Sequence, residues 1–293
     1  MRGNVPLYEM RTPKSLPDAL DLLHEEPGTW KPFAGGTDLM VLLEMGLLRQ
    51  KNFLNIHGLA ELRGITFENN RLTMGALTTF SSLQSHAAVQ KQFPILVQAA
   101  RSVGAVAIQN RATIGGNIAN SSPAADSSPA LLVYDAEVEL ISKSGSRWVP
   151  YRDFHTGYKQ TLMQPGELIK AIALSPVPGT PGTSFYKKVG ARNAQAISKI
   201  AFAGVTEFSR GQLNSVRIAL GSVAPTPIRC SGTEAFLRGR KPDFKTINEA
   251  KKILSSEISP IDDIRSSSEY RLRVSLNLLE DFLFHVELDR KTH

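Results

Sequence analysis

The chain is 293 residues long, which at roughly 150 residues per domain predicts two domains with room for a sizeable core. Hydrophobic residues make up 42% and charged residues 21%, a globular balance that excludes a disordered chain. The formal charge is +7, yet the basic residues sit in pairs such as Lys187-Lys188 and Lys251-Lys252 without a stripe or an aromatic platform, so nucleic acid is not the expected partner.

In chain order, Ser15-Leu16-Pro17-Asp18 predicts a capped helix start, with Leu16, Ala19, Leu20 and Leu23 following at helical spacing. Trp30–Phe33 reads as a strand, Ala34-Gly35-Gly36-Thr37-Asp38 as a turn, Leu39–Leu48 as a buried helix and Phe53–Ile56 as a strand. A second unit begins near His57, with a helical turn at Leu59–Arg63. A hairpin follows, of Gly64–Phe67 and Arg71–Met74 about Asn69-Asn70. Helices are expected at Thr79–Val89 and Pro94–Val103, then a second Gly-Gly turn in Thr113–Asn117, a Ser/Pro loop and a helix near Ser128–Tyr134. Glu137–Ser142 and Arg147–Pro150 form a hairpin across Ser144-Gly145-Ser146, and Leu168–Leu174 is a last strand. Ser175–Thr183, with three prolines and two glycines, is the clearest linker. Beyond it, Phe185–Val189, Ala201–Phe208 and Leu213–Ser222 suggest a small antiparallel sheet, packed by helices at Thr246–Ser255 and Glu269–Val286.

Several chemistries lack the residues they need. One cysteine, Cys230, excludes an intrachain disulfide and a chain-borne iron–sulfur cluster, and reads as a packed or surface thiol. The six histidines show no metal-ligand spacing, so no metal site is expected. No apolar run approaches the ~20 residues of a membrane helix. The first residues, Met1–Pro6, lack an apolar signal core, so the expected location is the cytoplasm.

The two Gly-Gly pairs carry the most information. Each lets a ligand approach backbone with no Cβ in the way, and successive amides in such turns suit phosphate oxygens. Thr37 and Thr113 add a hydroxyl beside each pair. Two such turns in adjacent units suggest a held diphosphate; two ordinary tight turns are the alternative, and neither fits a Rossmann or Walker pattern. Asp38 reads as the cap of the following helix. Asp126, in Ser121–Pro129, either accepts a hydrogen bond from a ligand or caps the helix opening at Ser128.

Phe33-Ala34-Gly35-Gly36-Thr37-Asp38, Thr113-Ile114-Gly115-Gly116-Asn117-Ile118-Ala119-Asn120 and Ser122-Pro123-Ala124-Ala125-Asp126 together resemble the FAD-binding (medium) subunit of the molybdenum hydroxylases. Ile56–Ile65, Phe154–Gly157 and Ala224–Cys230 are most similar to bacterial xanthine dehydrogenase FAD subunits, and Asp263–Arg271 is similar to the family's end segment. The resemblance implies an α+β fold: a vanillyl-alcohol-oxidase (PCMH)-type FAD-binding domain over 1–176, in two α/β subdomains (about 1–56 and 57–176), then a C-terminal α+β domain over 177–293 with a small antiparallel sheet.

It also implies roles. Lys31, Pro32, Phe33, Ala34, Gly35, Gly36, Thr37 and Asp38, with Ala112, Thr113, Ile114, Gly115, Gly116 and Asn117, would wrap the FAD diphosphate and ribityl chain. Asp126 would hydrogen-bond the cofactor, Leu168 or Ile169 would give an apolar contact, and Lys187 would lie near the flavin and stabilise its anionic reduced form. The implied function is electron transfer: from 2Fe–2S clusters of a small partner subunit onto FAD, then to NAD⁺. A large partner subunit with the molybdenum cofactor would oxidise a purine such as xanthine, in a dimer of heterotrimers. No side chain of this subunit is expected to act as acid, base or metal ligand. The single cysteine sets aside the 4-hydroxybenzoyl-CoA reductase branch, whose FAD subunit holds an extra cluster. Other readings are a scaffold that keeps the fold without flavin, an FAD subunit of a carbon monoxide or aromatic heterocycle dehydrogenase, and a lone reductase of the enolpyruvyl-UDP-sugar type. Flavin content and copurifying partners discriminate among them.

Overall fold

The computed structural model describes residues 7–177 and 183–292. β1 (Glu9–Arg11), α1 (Leu16–Glu25), β2 (Lys31–Phe33), α2 (Leu39–Glu44) and β3 (Asn52–Asn55) form a first unit, whose strands run parallel in the order β1-β3-β2. The Ser15 hydroxyl accepts from the Asp18 amide at 3.3 Å, and Leu16, Ala19, Leu20 and Leu23 are all buried, against Trp30, Leu54 and Leu59. The helix expected at Leu39–Leu48 differs on both counts. It is short, ending before Gly46 (φ 68°), and none of its residues is buried; Met40, Val41, Met45 and Leu47 are at least half exposed. Apolar composition alone does not distinguish a core helix from one lying on the surface.

The second unit is built on five antiparallel strands in the order β4-β5-β10-β6-β7: β4 (Ile65–Glu68), β5 (Arg71–Gly75), β6 (Glu137–Ser142), β7 (Gly145–Pro150) and β10 (Leu168–Leu174). Asn69 and Asn70 both take positive φ (49° and 59°), as the hairpin between β4 and β5 requires. Between β6 and β7, Ser142 faces Gly145, so Lys143-Ser144 makes the two-residue turn, one residue before the expected centre. Helices α3 (Phe80–Ser85), α4 (Ala87–Gln92), α5 (Pro94–Ser102), α6 (Val106–Gln109), α7 (Ile114–Ala119) and α8 (Ser128–Val133) accompany this sheet. The single helix expected at Thr79–Val89 is two, parted by an extended His86. A one-turn α9 (Tyr151–Phe154) leads into a small hairpin of β8 (His155–Gly157) and β9 (Gln160–Thr161).

Of the expected linker, residues 178–182 lie outside the described residues. Beyond it, β11 (Thr183–Val189), β12 (Ile200–Ser209), β13 (Gln212–Gly221) and β14 (Ile228–Arg229) form an antiparallel sheet in chain order. Phe202, Ile218 and Leu220 on one face pack with α10 (Ser231–Leu237), α11 (Phe244–Glu257) and α12 (Ser268–Thr292). Ala203, Val205 and Ala219 on the other face join the core of the second unit, beside α8. Cys230 is buried in the C-terminal core, and burial pushes its thiol well above the ordinary range, which decides for a packed thiol. Among the described residues no helix is long and apolar enough to cross a membrane, and no cluster of three or more His, Cys, Asp or Glu could hold a metal.

The C-terminal end of α8 is where the third unit grips the second. The last carbonyls of a helix have no partner within it. Here the Leu132 carbonyl accepts from Arg229 at 2.8 Å and the Val133 carbonyl from Arg217 at 2.9 Å. Asp135 bridges both guanidinium groups, at 2.7 and 2.9 Å, and buried Glu234 also pairs with Arg229. Arg229→Met strands the Glu234 carboxylate in the interior, so it should lower stability by about 3 kcal/mol. Thermal melting of the two proteins measures the loss; an unchanged melting temperature would refute the clamp.

Candidate functional site

β2 ends at Phe33 and the chain turns through Gly35 and Gly36. Gly36 sits at φ 74°, where a Cβ would also lie 2.4 Å from the Phe33 ring. A Cβ on Gly35 would lie 2.0 Å from the Arg111 carbonyl, so this glycine lets the first turn press against the strand of chain leading to the second. The amides of Gly35, Gly36, Thr37 and Asp38 donate to no acceptor among the described residues. Four successive unpaired N–H groups about a positive-φ glycine make a nest, a concavity of partial positive charge. Lys31 is exposed at the start of the approach, and Pro32, Phe33 and Ala34 line it half-buried, with Phe33 edge-on to Phe53.

The second Gly-Gly pair is built differently. Gly115 and Gly116 lie in the first turn of α7, capped by Thr113, whose hydroxyl accepts from the Gly116 amide at 3.1 Å. The amides of Ile114, Gly115 and Asn117 are also used, by the carbonyls of Thr78, Ala76 and Thr113, each at 2.9 Å. The expectation of two matched amide cradles therefore fails: one pair is a nest, and the other is a wall whose donors are spent. Gly115 is required by packing, since its Cβ would meet Ala76 at 2.6 Å. Gly116 is exposed, yet a Cβ there would lie 2.9 Å from the capping Thr113 hydroxyl, so this glycine leaves room for the α7 cap. Ala112, Thr113 and Ile114 are buried behind it, and Asn117 accepts from Ser127 at 2.6 Å.

Asp126 caps nothing. α8 opens at Ser127 without a side-chain cap, and the buried Asp126 carboxylate faces the third unit. One oxygen pairs with Lys188 at 2.7 Å and the other accepts from Ser198. Lys188 also donates to the Ser102 carbonyl at 2.8 Å, and the Tyr186 hydroxyl donates to the Asp126 carbonyl at 3.0 Å. Burial raises the Asp126 pKa, and the Lys188 ammonium opposes that rise. Lys187, the expected cation, is exposed on the opposite face of β11, beside Phe185 and Val189. Leu168 and Ile169 are both buried, Leu168 in the core of the first unit and Ile169 in that of the second.

Residues 7–177 match the FAD binding domain in molybdopterin dehydrogenase, and residues 184–286 match the CO dehydrogenase flavoprotein C-terminal domain. The xanthine dehydrogenase FAD-binding subunit of Escherichia coli O157:H7 is 36% identical over 89% of both chains. The glyceraldehyde dehydrogenase medium chain of Sulfolobus acidocaldarius is 32% identical over 92% of this chain and 94% of its own. Reconstituted CO dehydrogenase from Oligotropha carboxidovorans superposes with a TM-score of 0.91 at 28% identity, covering 96% of this chain and 98% of that one. The chain belongs to the FAD-binding medium subunits of the molybdenum hydroxylases.

FAD suits the residues of this FAD-binding subunit: the nest offers unpaired donors to a diphosphate, and Gly116 leaves backbone open to close approach. Sequence reasoning missed Lys188 and Ser198. Strand alternation puts Lys187 and Lys188 on opposite faces, but only the docking of β11 against Asp126 decides which face matters. Asp38 was also misjudged. It stands at the start of α2 without capping it; its carboxylate accepts from the Asn120 side chain at 3.1 Å, joining the first turn to the second unit.

Behind the Asp126 loop, a chain of hydrogen bonds runs through one histidine. Nδ1 of His155 meets Ser121 Oγ at 2.8 Å, Nε2 meets the Tyr151 hydroxyl at 3.0 Å, and Tyr151 donates to Ser128 at 2.7 Å. Burial lowers the His155 pKa from 6.5 to about 4. The unfolded chain therefore takes up this proton near pH 6.5, while the folded subunit resists until about pH 4. Stability from neutral His155 is complete above about pH 6.5 and falls away as pH drops to about 4, by at most about 3 kcal/mol. Denaturant titrations across that range should show a shallower pH dependence for His155→Gln; equal slopes would contradict a neutral, buried histidine.

Proposed function

We propose that this subunit carries FAD with its diphosphate on the Gly35–Asp38 nest, receives electrons from 2Fe–2S clusters on a small partner subunit and delivers them to NAD⁺. A large partner subunit with the molybdenum cofactor would hydroxylate xanthine or a related purine, and the complex would be a cytoplasmic dimer of heterotrimers. The observation that carries the flavin part is the run of four unpaired amides about the positive-φ Gly36. The purine part is supported by 36% identity to a xanthine dehydrogenase subunit, against 32% and 29% for glyceraldehyde and carbon monoxide dehydrogenase medium chains. The relatives are dehydrogenases by name, which speaks against O₂ as the acceptor. The same reading divides the chain into an FAD-binding domain over 1–176 (subdomains about 1–56 and 57–176) and a C-terminal domain over 177–293.

FAD, when bound, supplies the exchange between single-electron transfer and hydride transfer. The protein's work is to hold and tune it. Lys31–Ala34 lead into the nest and Thr37 adds a hydroxyl beside it, while Ala112–Ile114 and Asn117 form the opposite wall. Lys188, fixed between Asp126 and the Ser102 carbonyl, takes the role first expected of Lys187: a rigid cation that favours an anionic reduced flavin.

The purified chain, alone or with its partner subunits, should be yellow, and its heat-released cofactor should co-chromatograph with FAD. A folded chain that refuses FAD in both states would sink this reading. Gly116→Leu should abolish FAD retention through gel filtration while circular dichroism shows the fold retained despite the crowded Thr113 cap; full retention by the folded variant would remove Gly116 from the site. Lys188→Met should lower the flavin reduction potential and Lys187→Met should not, as measured by dye-coupled titration; the reverse result would restore Lys187.

A further inference from the structure

We infer that Lys159 is a second cation of the diphosphate site, brought to the nest by the small β8–β9 hairpin and discriminating for phosphate-bearing flavins. This rests on the FAD reading above. Gly157 faces Gln160 across that hairpin, leaving Tyr158-Lys159 as its two-residue loop. Lys159 adopts φ 57°, a backbone region where turns of this kind place glycine or asparagine. The hairpin has no conformational use for a lysine there, so the reason lies in the side chain.

That side chain is tied to the end of the nest through Asn120. Lys159 Nζ donates to Asn120 Oδ1 at 2.7 Å, and Asn120 Nδ2 donates to Asp38 Oδ1 at 3.1 Å. Asp38 is the last residue of the nest, so the ammonium stands one amide group away from it. The hairpin is fastened as well, because Ser121 Oγ lies 3.0 Å from the Gln160 carbonyl and 2.8 Å from His155 Nδ1, its one proton shared between those two acceptors. Lys159 remains open to solvent, and its ammonium has three protons of which Asn120 takes one. Partial desolvation lowers its pKa, Asp38 opposes that, and Lys31 reinforces it, so both neighbouring charges act on it.

The charge balance shows what the lysine adds. Asp38 and Lys31 cancel at the nest, and a diphosphate brought there would meet backbone dipoles alone. Lys159 makes the site net positive. The competing reading is a latch, in which Lys159 serves only to hold Asn120 and Asp38 together across the two subdomains.

Flavin-free preparations of the full chain, wild type and variant, titrated with FAD and separately with riboflavin at low and high ionic strength, distinguish the two. Charge-assisted contacts predict that Lys159→Met weakens FAD binding about 10- to 100-fold at low salt and flattens its salt dependence. Riboflavin affinity and the melting temperature of the flavin-free chain should be unchanged, and Lys159→Arg should recover most of the FAD affinity. Undiminished FAD binding by Lys159→Met overturns the assignment. So does an equal loss for FAD and riboflavin with a lowered melting temperature, which is the signature of a latch. A wild-type chain that binds riboflavin and FAD equally overturns it too, while a wild type that binds neither, alone and with its partner subunits, also removes the FAD reading beneath it.

Discussion

Burying the Asp126 carboxylate is tolerable only because the third unit supplies both of its partners. Alone in the interior it would cost several kcal/mol, and Lys188 and Ser198 reach it from beyond the linker region. The loop that follows the second glycine pair is thus held in shape by the domain docked on it. The Ser222 amide on the Pro123 carbonyl, at 2.8 Å, and Tyr186 on the Asp126 carbonyl tie the same loop at two more points. Arg217 and Arg229 then close the far end of α8. One segment, Ser121–Val133, is gripped along its length, which explains why the small residues Ala203 and Ala219 face α8 and let the sheet come close.

The two glycine pairs look alike in sequence and do different work. Gly35 and Gly115 exist for protein packing: one admits the Arg111 carbonyl, the other admits Ala76. Gly36 supplies a backbone angle, and Gly116 leaves room for the Thr113 hydroxyl that caps α7. The first turn therefore presents unpaired donors, and the second presents backbone whose donors are spent. Because Gly35 presses the turn directly on the chain beside Ala112, the spacing between the two turns is fixed by covalent geometry and hard contact.

Much of the fold was legible because it is locally encoded. The Ser15 cap, the positive-φ Asn69-Asn70 turn and the apolar run Leu168–Leu174 each state their structure within a few residues. The elements misread were those whose meaning depends on distant partners. Nothing near Leu39–Leu48 says that no other element covers it. Thr113-Ile114-Gly115-Gly116 reads as a turn until Thr78 and Ala76, far back in the chain, are seen to take its amides. Lys187 and Lys188 differ by the parity of one strand, and parity is set by which face of β11 meets Asp126. The resemblance pointed to Lys187, and tertiary packing instead places Lys188 against Asp126.

The charge surplus gives the same lesson from another direction. A net +7 pointed to a basic surface, but the cations with the most structural consequence are few and enclosed. Lys188 is 9% exposed and Arg271 is 4% exposed, the latter donating to the carbonyls of Lys199 and Ser222 and pairing with Asp263. Arg229 holds Asp135 and Glu234 at once. Exposed pairs such as Lys252 with Glu249 contribute little, since water and salt screen them. What counts is whether a cation sits where a carbonyl or carboxylate has lost its water. By that measure Lys188, Arg217 and Arg229 shape the seam between the second and third units, and Arg271 holds the third unit's own interior.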